Sequence, residues 1–190
     1  MIYRSMYVAY SKHPEQTTLV PDCPHYAALA FDGEKVFLYV ESNEPMVDPN
    51  AIAVGDLIPY PTGSCWDRAI EIFHYSKPMS AEQWQRSGEK TPRFRLNRLQ
   101  PEKTASYIYY HFQYQEEYPG DGDRYGVIYL HGDQLIFYLE DPTEQETIKT
   151  QGLLNSTNSP LDIWQELMHQ HFADEWRGIN NLTRSDYIAF

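Results

Sequence analysis

Cysteine is scarce in this chain: Cys23 and Cys65 are the two present. Two thiols without metal-ligand spacing make neither a disulfide framework nor a zinc knuckle, and reduced thiols in the cytoplasm are the expectation. Basic residues are few as well, 15 Lys and Arg against 27 Asp and Glu, a formal charge of −12. A surface that holds phosphate backbones needs clustered cations, so nucleic acid is not an expected partner. Long apolar runs are missing too; Tyr, Glu or Gly interrupts each of them, so no segment is expected to span a membrane. Met1-Ile2-Tyr3-Arg4 lacks the apolar core of a signal peptide, which also favours a cytoplasmic location. The ten glycines follow neither the dinucleotide-binding nor the Walker spacing, and neither a cofactor nor a metal is expected.

What is abundant is acid and tyrosine. Residues 104–190 hold 4 Lys and Arg against 14 Asp and Glu, a net of −10, whereas residues 1–103 hold 11 against 13, a net of −2. Hydrophobic residues make up 42% of the 190-residue chain, enough for a real core, and sixteen residues are Tyr.

The chain also resembles itself. Residues 25–41 align with 124–140, placing Tyr26 on Tyr125, Gly33 on Gly132, Tyr39 on Tyr138 and Glu41 on Glu140. Further on, Ser64, Asp67, Glu71 and His74 align with Ser159, Asp162, Glu166 and His169, and Ala81 to Trp84 resembles Ala173 to Trp176. Such ordered matches point to an internal duplication. The expected fold is α+β: two divergent tandem β-β-β-α modules, 1–100 and 101–190, with antiparallel sheet and with helices packed on one face.

Each module is expected to open with a strand, at 2–10 and 105–114, and to continue into a hairpin at 25–41 and 124–140. A helix follows at 65–75 and 160–172, then a short helical piece carrying Trp84 or Trp176. The proline-bearing, basic stretch 86–103 reads as a linker, and 186–190 as a last strand. Asp32-Gly33 between alternating apolar runs is a strong hairpin signal, and His131-Gly132 a weaker one. A two-residue turn there sets Tyr26 opposite Tyr39 and Tyr125 opposite Tyr138. Alternation then sends Ala27, Leu29, Phe31, Val36, Leu38 and Val40 to a core face. Tyr26, Tyr39 and Glu41 lie on the other, as do Tyr125, Tyr138 and Glu140. In the first helix, Trp66, Ala69, Ile70 and Phe73 would form the buried stripe.

Several local patterns bear chemistry. Glu71-x-x-His74 and Glu166-x-x-His169 have a spacing used by di-iron sites, but here they fall on polar helix faces, where such pairs are ordinary electrostatics. In His169-Gln170-His171 the imidazoles diverge on a helix. Gly120-Asp121-Gly122-Asp123 is an acidic turn too short for a calcium loop. Cys65 stands where a helix is expected to begin, a setting that favours thiolate. The run Gly63-Ser64-Cys65-Trp66 is similar to the nucleophile segment of papain-like cysteine peptidases. The match spans four residues, with Pro59 where that family has Gln and Thr62 where it has a second Cys. The resemblance implies a thiol hydrolase with a base such as His111 or His131, the latter backed by Asp133.

The functional expectation is a non-enzymatic binding protein. Its ligand-binding residues would be Tyr26, Tyr39, Glu41, Tyr125, Tyr138 and Glu140, on a tyrosine-lined sheet face or in a cleft between modules, facing a small molecule, a protein partner or a second copy in a homodimer. An acidic inhibitor or immunity-type protein that docks a basic partner is the alternative, and a hydrolase using Cys65 a further one.

Overall fold

The computed structural model describes residues 1–21, 23–78, 80–146, 154 and 163–179, together with the backbone of 182–184. The protein is mixed α+β, with far more strand than helix. In chain order the strands are β1 (Tyr3–Ser11), β2 (Thr18–Leu19), β3 (Tyr26–Asp32), β4 (Lys35–Ser42), β5 (Ala53–Val54), β6 (Leu57–Ile58), β7 (Asp67–Arg68), β8 (Ile70–His74), β9 (Thr91–Arg98), β10 (Val127–His131), β11 (Gln134–Asp141), β12 (Arg177–Ile179) and β13 (Leu182–Arg184). The helices are α1 (Thr104–Glu117) and α2 (Trp164–His169).

The chain divides into two compact units. The first holds residues 1–69 and 78–92 with the described residues from Ile179 on; the second holds Ile70–Lys77 with the described residues of Arg93–Gly178. The first unit's sheet has the order β13-β3-β4-β1-β6, with β7 also paired to β1; the second's has the order β12-β9-β11-β10-β8. A small ribbon pairs β2 with β5. The units are therefore not the stretches 1–100 and 101–190. β7 lies in the first sheet and β8, one residue later, in the second; β12 lies in the second sheet and β13 in the first. Each hairpin's outer edge is thus capped by a strand from a distant part of the chain, which removes an open edge.

Both hairpins form where the glycines place them, one residue further along than expected. Asp32 pairs with Lys35 and Tyr26 with Glu41; His131 pairs with Gln134 and Val127 with Tyr138. The central turn residues are Gly33-Glu34 and Gly132-Asp133, with φ of +57° and +61° at the glycines. The left-handed backbone is thus taken at the first central position, where glycine alone carries no Cβ penalty. Moving a turn by one residue shifts each partner by two, so Tyr26 and Tyr39 keep a common face although they are no longer opposite. Their rings meet edge to face at 6.4 Å.

Three expected elements are replaced. Residues 65–75 are not a helix: Cys65 and Trp66 precede β7, and 70–74 form β8 against β10. Trp66, Ala69 and Phe73 are buried as the helical stripe required, but Ile70 is 68% exposed. The Ile-Glu-Ile-Phe run alternates as well as it spirals, and an unfilled edge beside β10 selects the strand. Residues 105–114 are not a strand but most of α1. The stripe it turns to the core, buried Tyr107 and His111 with partly buried Tyr110 and Tyr114, has helical spacing but is built of tyrosine and histidine, which read as strand formers or as polar. The supposed linker 86–103 contains β9, where Pro92, Phe94 and Leu96 point inward while Arg93 and Arg95 point out. The pieces carrying Trp84 and Trp176 are turns and coil. α2 occupies part of the expected 160–172 helix, whose residues 160–162 lie outside the described residues, as does the expected strand 186–190.

In the first unit the face bearing Ala27, Leu29, Val36, Leu38 and Val40 packs against Ile52, Ala53, Cys23 and Trp66, with no α-helix among its described residues. In the second, α1 and α2 bring Tyr107 and Met168 against Phe73, Ile128 and Leu135. No helix among the described residues is long and apolar enough to cross a membrane.

Candidate functional site

The six residues singled out on the tyrosine faces are Tyr26, Tyr39, Glu41, Tyr125, Tyr138 and Glu140, and all are between 0 and 1% exposed. That face is not open. In each hairpin the strand's tyrosine donates to the carboxylate two residues on, Tyr39 Oη to Glu41 Oε1 at 2.8 Å and Tyr138 Oη to Glu140 Oε1 at 2.6 Å. Residues i and i+2 of a strand share a face, so the short Tyr-x-Glu spacing is what brings phenol and carboxylate together.

In the first unit the charge is closed off by Arg86. Its Nη2 and Nη1 reach Glu41 Oε1 and Oε2 at 3.0 and 3.1 Å, and its guanidinium lies 3.7 Å from the centre of the Tyr26 ring. Both partners are sealed, Arg86 at 4% and Glu41 at 0% side-chain exposure. A fork-to-fork pair stacked on an aromatic is the arrangement in which a buried carboxylate stays satisfied. The second unit differs. Arg124 turns to Glu144 at 3.1 Å, and Asp123 accepts the amides of Tyr125 and Glu140 at 3.2 and 3.4 Å. Burial pushes the Asp123 carboxyl above its usual range.

Cys65 loses the setting that argued for activation, because no helix begins there. It is partly buried and borders a cavity of about 170 Å³ with Asn50, Ala53, Val54, Gly55 and Leu57. The suggested bases His111 and His131, with Asp133, belong to the second unit, whereas Cys65 belongs to the first. A second cavity in the first unit, about 190 Å³, is lined by His25, Glu44, Asp48 and Ile52 among others. Both volumes fall below the range that encloses a drug-sized ligand.

Glu71 and His74 do meet, with Oε1 and Nδ1 2.7 Å apart, but on a strand. A regular strand would turn i and i+3 to opposite faces; the bulge between the pairs Ile128–Phe73 and Tyr129–Glu71 supplies the extra residue that brings them together. Among the described residues no three or more His, Cys, Asp or Glu are grouped to hold a metal.

What sequence reading missed is the outward face of α1. Tyr109 is 61% and Phe112 48% exposed, one turn apart, and Ala105 is exposed beside them. From Thr104 to Asp123 there is no Lys or Arg, and Glu116, Glu117, Asp121 and Asp123 cluster toward the end of that stretch. The signal was available in the aromatic content of 107–118 once that segment is read as helix, since a helix with aromatics all round keeps some of them in water.

The chain matches no family model and no curated protein. Among solved structures it is similar to a chain described as an anthrone oxidase-like protein, at 9% identity, covering 98% of this chain and 94% of that one, with a TM-score of 0.39. A likeness of that grade carries no argument about what this protein binds or does.

Proposed function

We propose that this is a binding protein whose docking surface is the outward face of α1, and that its partner is a protein surface rich in Lys and Arg. The observation that carries the reading is the exposure of Tyr109 and Phe112 on a helix without a cation. Large exposed aromatics are costly to leave in water, and Tyr in particular recurs at the energetic centres of interfaces. Charge chooses the occupant: with a net of −10 over residues 104–190, a basic surface is attracted and a second acidic copy is repelled. Tyr26, Tyr39, Glu41, Tyr125, Tyr138 and Glu140 then act as the frame that holds the two hairpins, and contact with the partner passes to α1.

The test is a titration with a defined cationic amphipathic peptide of Lys and Leu, followed by backbone amide shifts. The reading expects perturbation confined to residues 105–116, weakening steeply with salt and lost in a Tyr109→Ser, Phe112→Ser double variant that keeps its thermal transition. Binding that ignores that double change would overturn it.

A further inference from the structure

Away from that face, the start of α1 carries a nucleophile and a base in contact. Ser106 Oγ lies 2.9 Å from His171 Nε2, and His171 Nδ1 lies 2.8 Å from the Leu167 carbonyl oxygen. All of these residues belong to the second unit. A carbonyl oxygen only accepts, so in the neutral ring Nδ1 carries the hydrogen and Nε2 presents its lone pair to the serine. His171 is 3% exposed, while Ser106 is only partly buried. The rings of Tyr107 and Tyr110, with centroids 5.8 and 5.9 Å from that of the imidazole, flank it edge to face. Ser106 Oγ also lies 3.0 Å from the Lys103 carbonyl oxygen, so its single proton has two acceptors.

We propose that Ser106 is a reactive nucleophile activated by His171, able to accept an acyl or phosphonyl group from small activated esters. The step balances without a metal or a redox partner. Ser106 Oγ forms a bond to the electrophilic carbon as its proton passes to His171 Nε2. The ring is then an imidazolium whose Nδ1–H still donates to Leu167, so the positive charge forms facing a fixed carbonyl dipole. The bond from carbon to the leaving alkoxide breaks, and that oxygen takes the proton from Nε2. Water, deprotonated by the same nitrogen, returns the serine and releases the acid. The backbone carbonyl of Leu167 thus does the orienting that a carboxylate does in a serine triad, with the end of α2 and the turn that follows it, closed by His171 N–H on the Met168 carbonyl at 2.9 Å, setting the spacing.

The probe is an alkyl fluorophosphonate on the full chain, read by intact mass and peptide mapping. Here the Oγ–P bond forms, P–F breaks, and the proton leaves with fluoride. The expected result is a single phosphonyl group on Ser106, at a rate that falls on acidification because a protonated ring cannot accept the hydroxyl proton. His171→Gln is expected to slow labelling about 100-fold or more while Ser106→Ala abolishes it. If the wild-type chain leaves Ser106 unmodified, or labels it at a rate indifferent to pH, the proposal fails. Those two outcomes use the unaltered protein, so they decide the matter even where a His171 variant does not fold.

Discussion

Arg86 closes over Glu41 with two hydrogen bonds of 3.0 and 3.1 Å in a place that water does not reach. The two are 45 residues apart in the chain, yet their relation explains how a strand whose two faces are both buried carries a carboxylate. Desolvating either charge alone is costly, and together they are tolerated because the geometry satisfies both.

Removing Arg86 is therefore expected to cost more than removing a surface ion pair. Arg86→Met leaves Glu41 buried and uncompensated, a loss of about 3–5 kcal/mol, whereas Arg86→Met with Glu41→Gln recovers a large part of it. Urea unfolding of the two variants measures the difference; equal losses would mean that the pair is not the source of the cost.

The tyrosine hydroxyls are expected to matter less. Tyr39→Phe and Tyr138→Phe each delete one donor to a carboxylate, about 1.5–3 kcal/mol, while the rings keep their packing. Chemical denaturation is the check. If Tyr39→Phe proves as damaging as Arg86→Met, Glu41 depends on the phenol rather than the guanidinium.

His111 makes the fold sensitive to acid. Its Nδ1 lies 3.0 Å from the Tyr107 carbonyl oxygen, and its ring is wedged against Tyr107, Phe73 and Trp164 at 4.0 to 5.0 Å. Burial lowers its pKa to about 4, against 6.5 for a free imidazole. Between those values the unfolded chain binds more protons than the folded one, so stability is full above about pH 6.5 and declines as pH falls toward 4. The loss from this group amounts to about 3 kcal/mol. His111→Phe is expected to remove that part of the slope; a variant with the wild-type pH dependence would locate the sensitivity elsewhere.

Two glycines separate conformational need from space. A Cβ on Gly122 would stand 2.3 to 2.6 Å from the Tyr75 ring, while one on Gly33 meets nothing within 4 Å. Gly33→Ala is expected to cost about 1 kcal/mol, the left-handed penalty alone, and Gly122→Ala clearly more because an aromatic ring has to move. Thermal unfolding of the pair checks the order.

Which parts were legible follows from how local their causes are. The hairpins rest on Gly33 and Gly132 with alternation on either side, so they were found to within one residue. The core face of the first hairpin followed from period two, and the one-residue shift of the turn left it intact. The tyrosine faces were placed on the right side of the strands, but their exposure was not readable. Burial depends on what covers a face, and Arg86 comes from a segment that looked like linker. The Ser106–His171 contact was equally hidden, because 65 residues separate its members.

The amino-acid sequence by itself determined the acidic charge, the α+β composition, both turns and the alternation around them. Each of these depends on neighbours a few residues apart. Only the tertiary structure decided that 70–74 would be a strand, that 105–114 would be a helix and that 91–98 would enter a sheet. Residues 70–74 and 105–114 carry patterns compatible with either period, and the free edge beside β10 and the apolar sheet face beneath α1 selected between them; 91–98 alternates as a strand, and β11 and β12 on either side supply its partners.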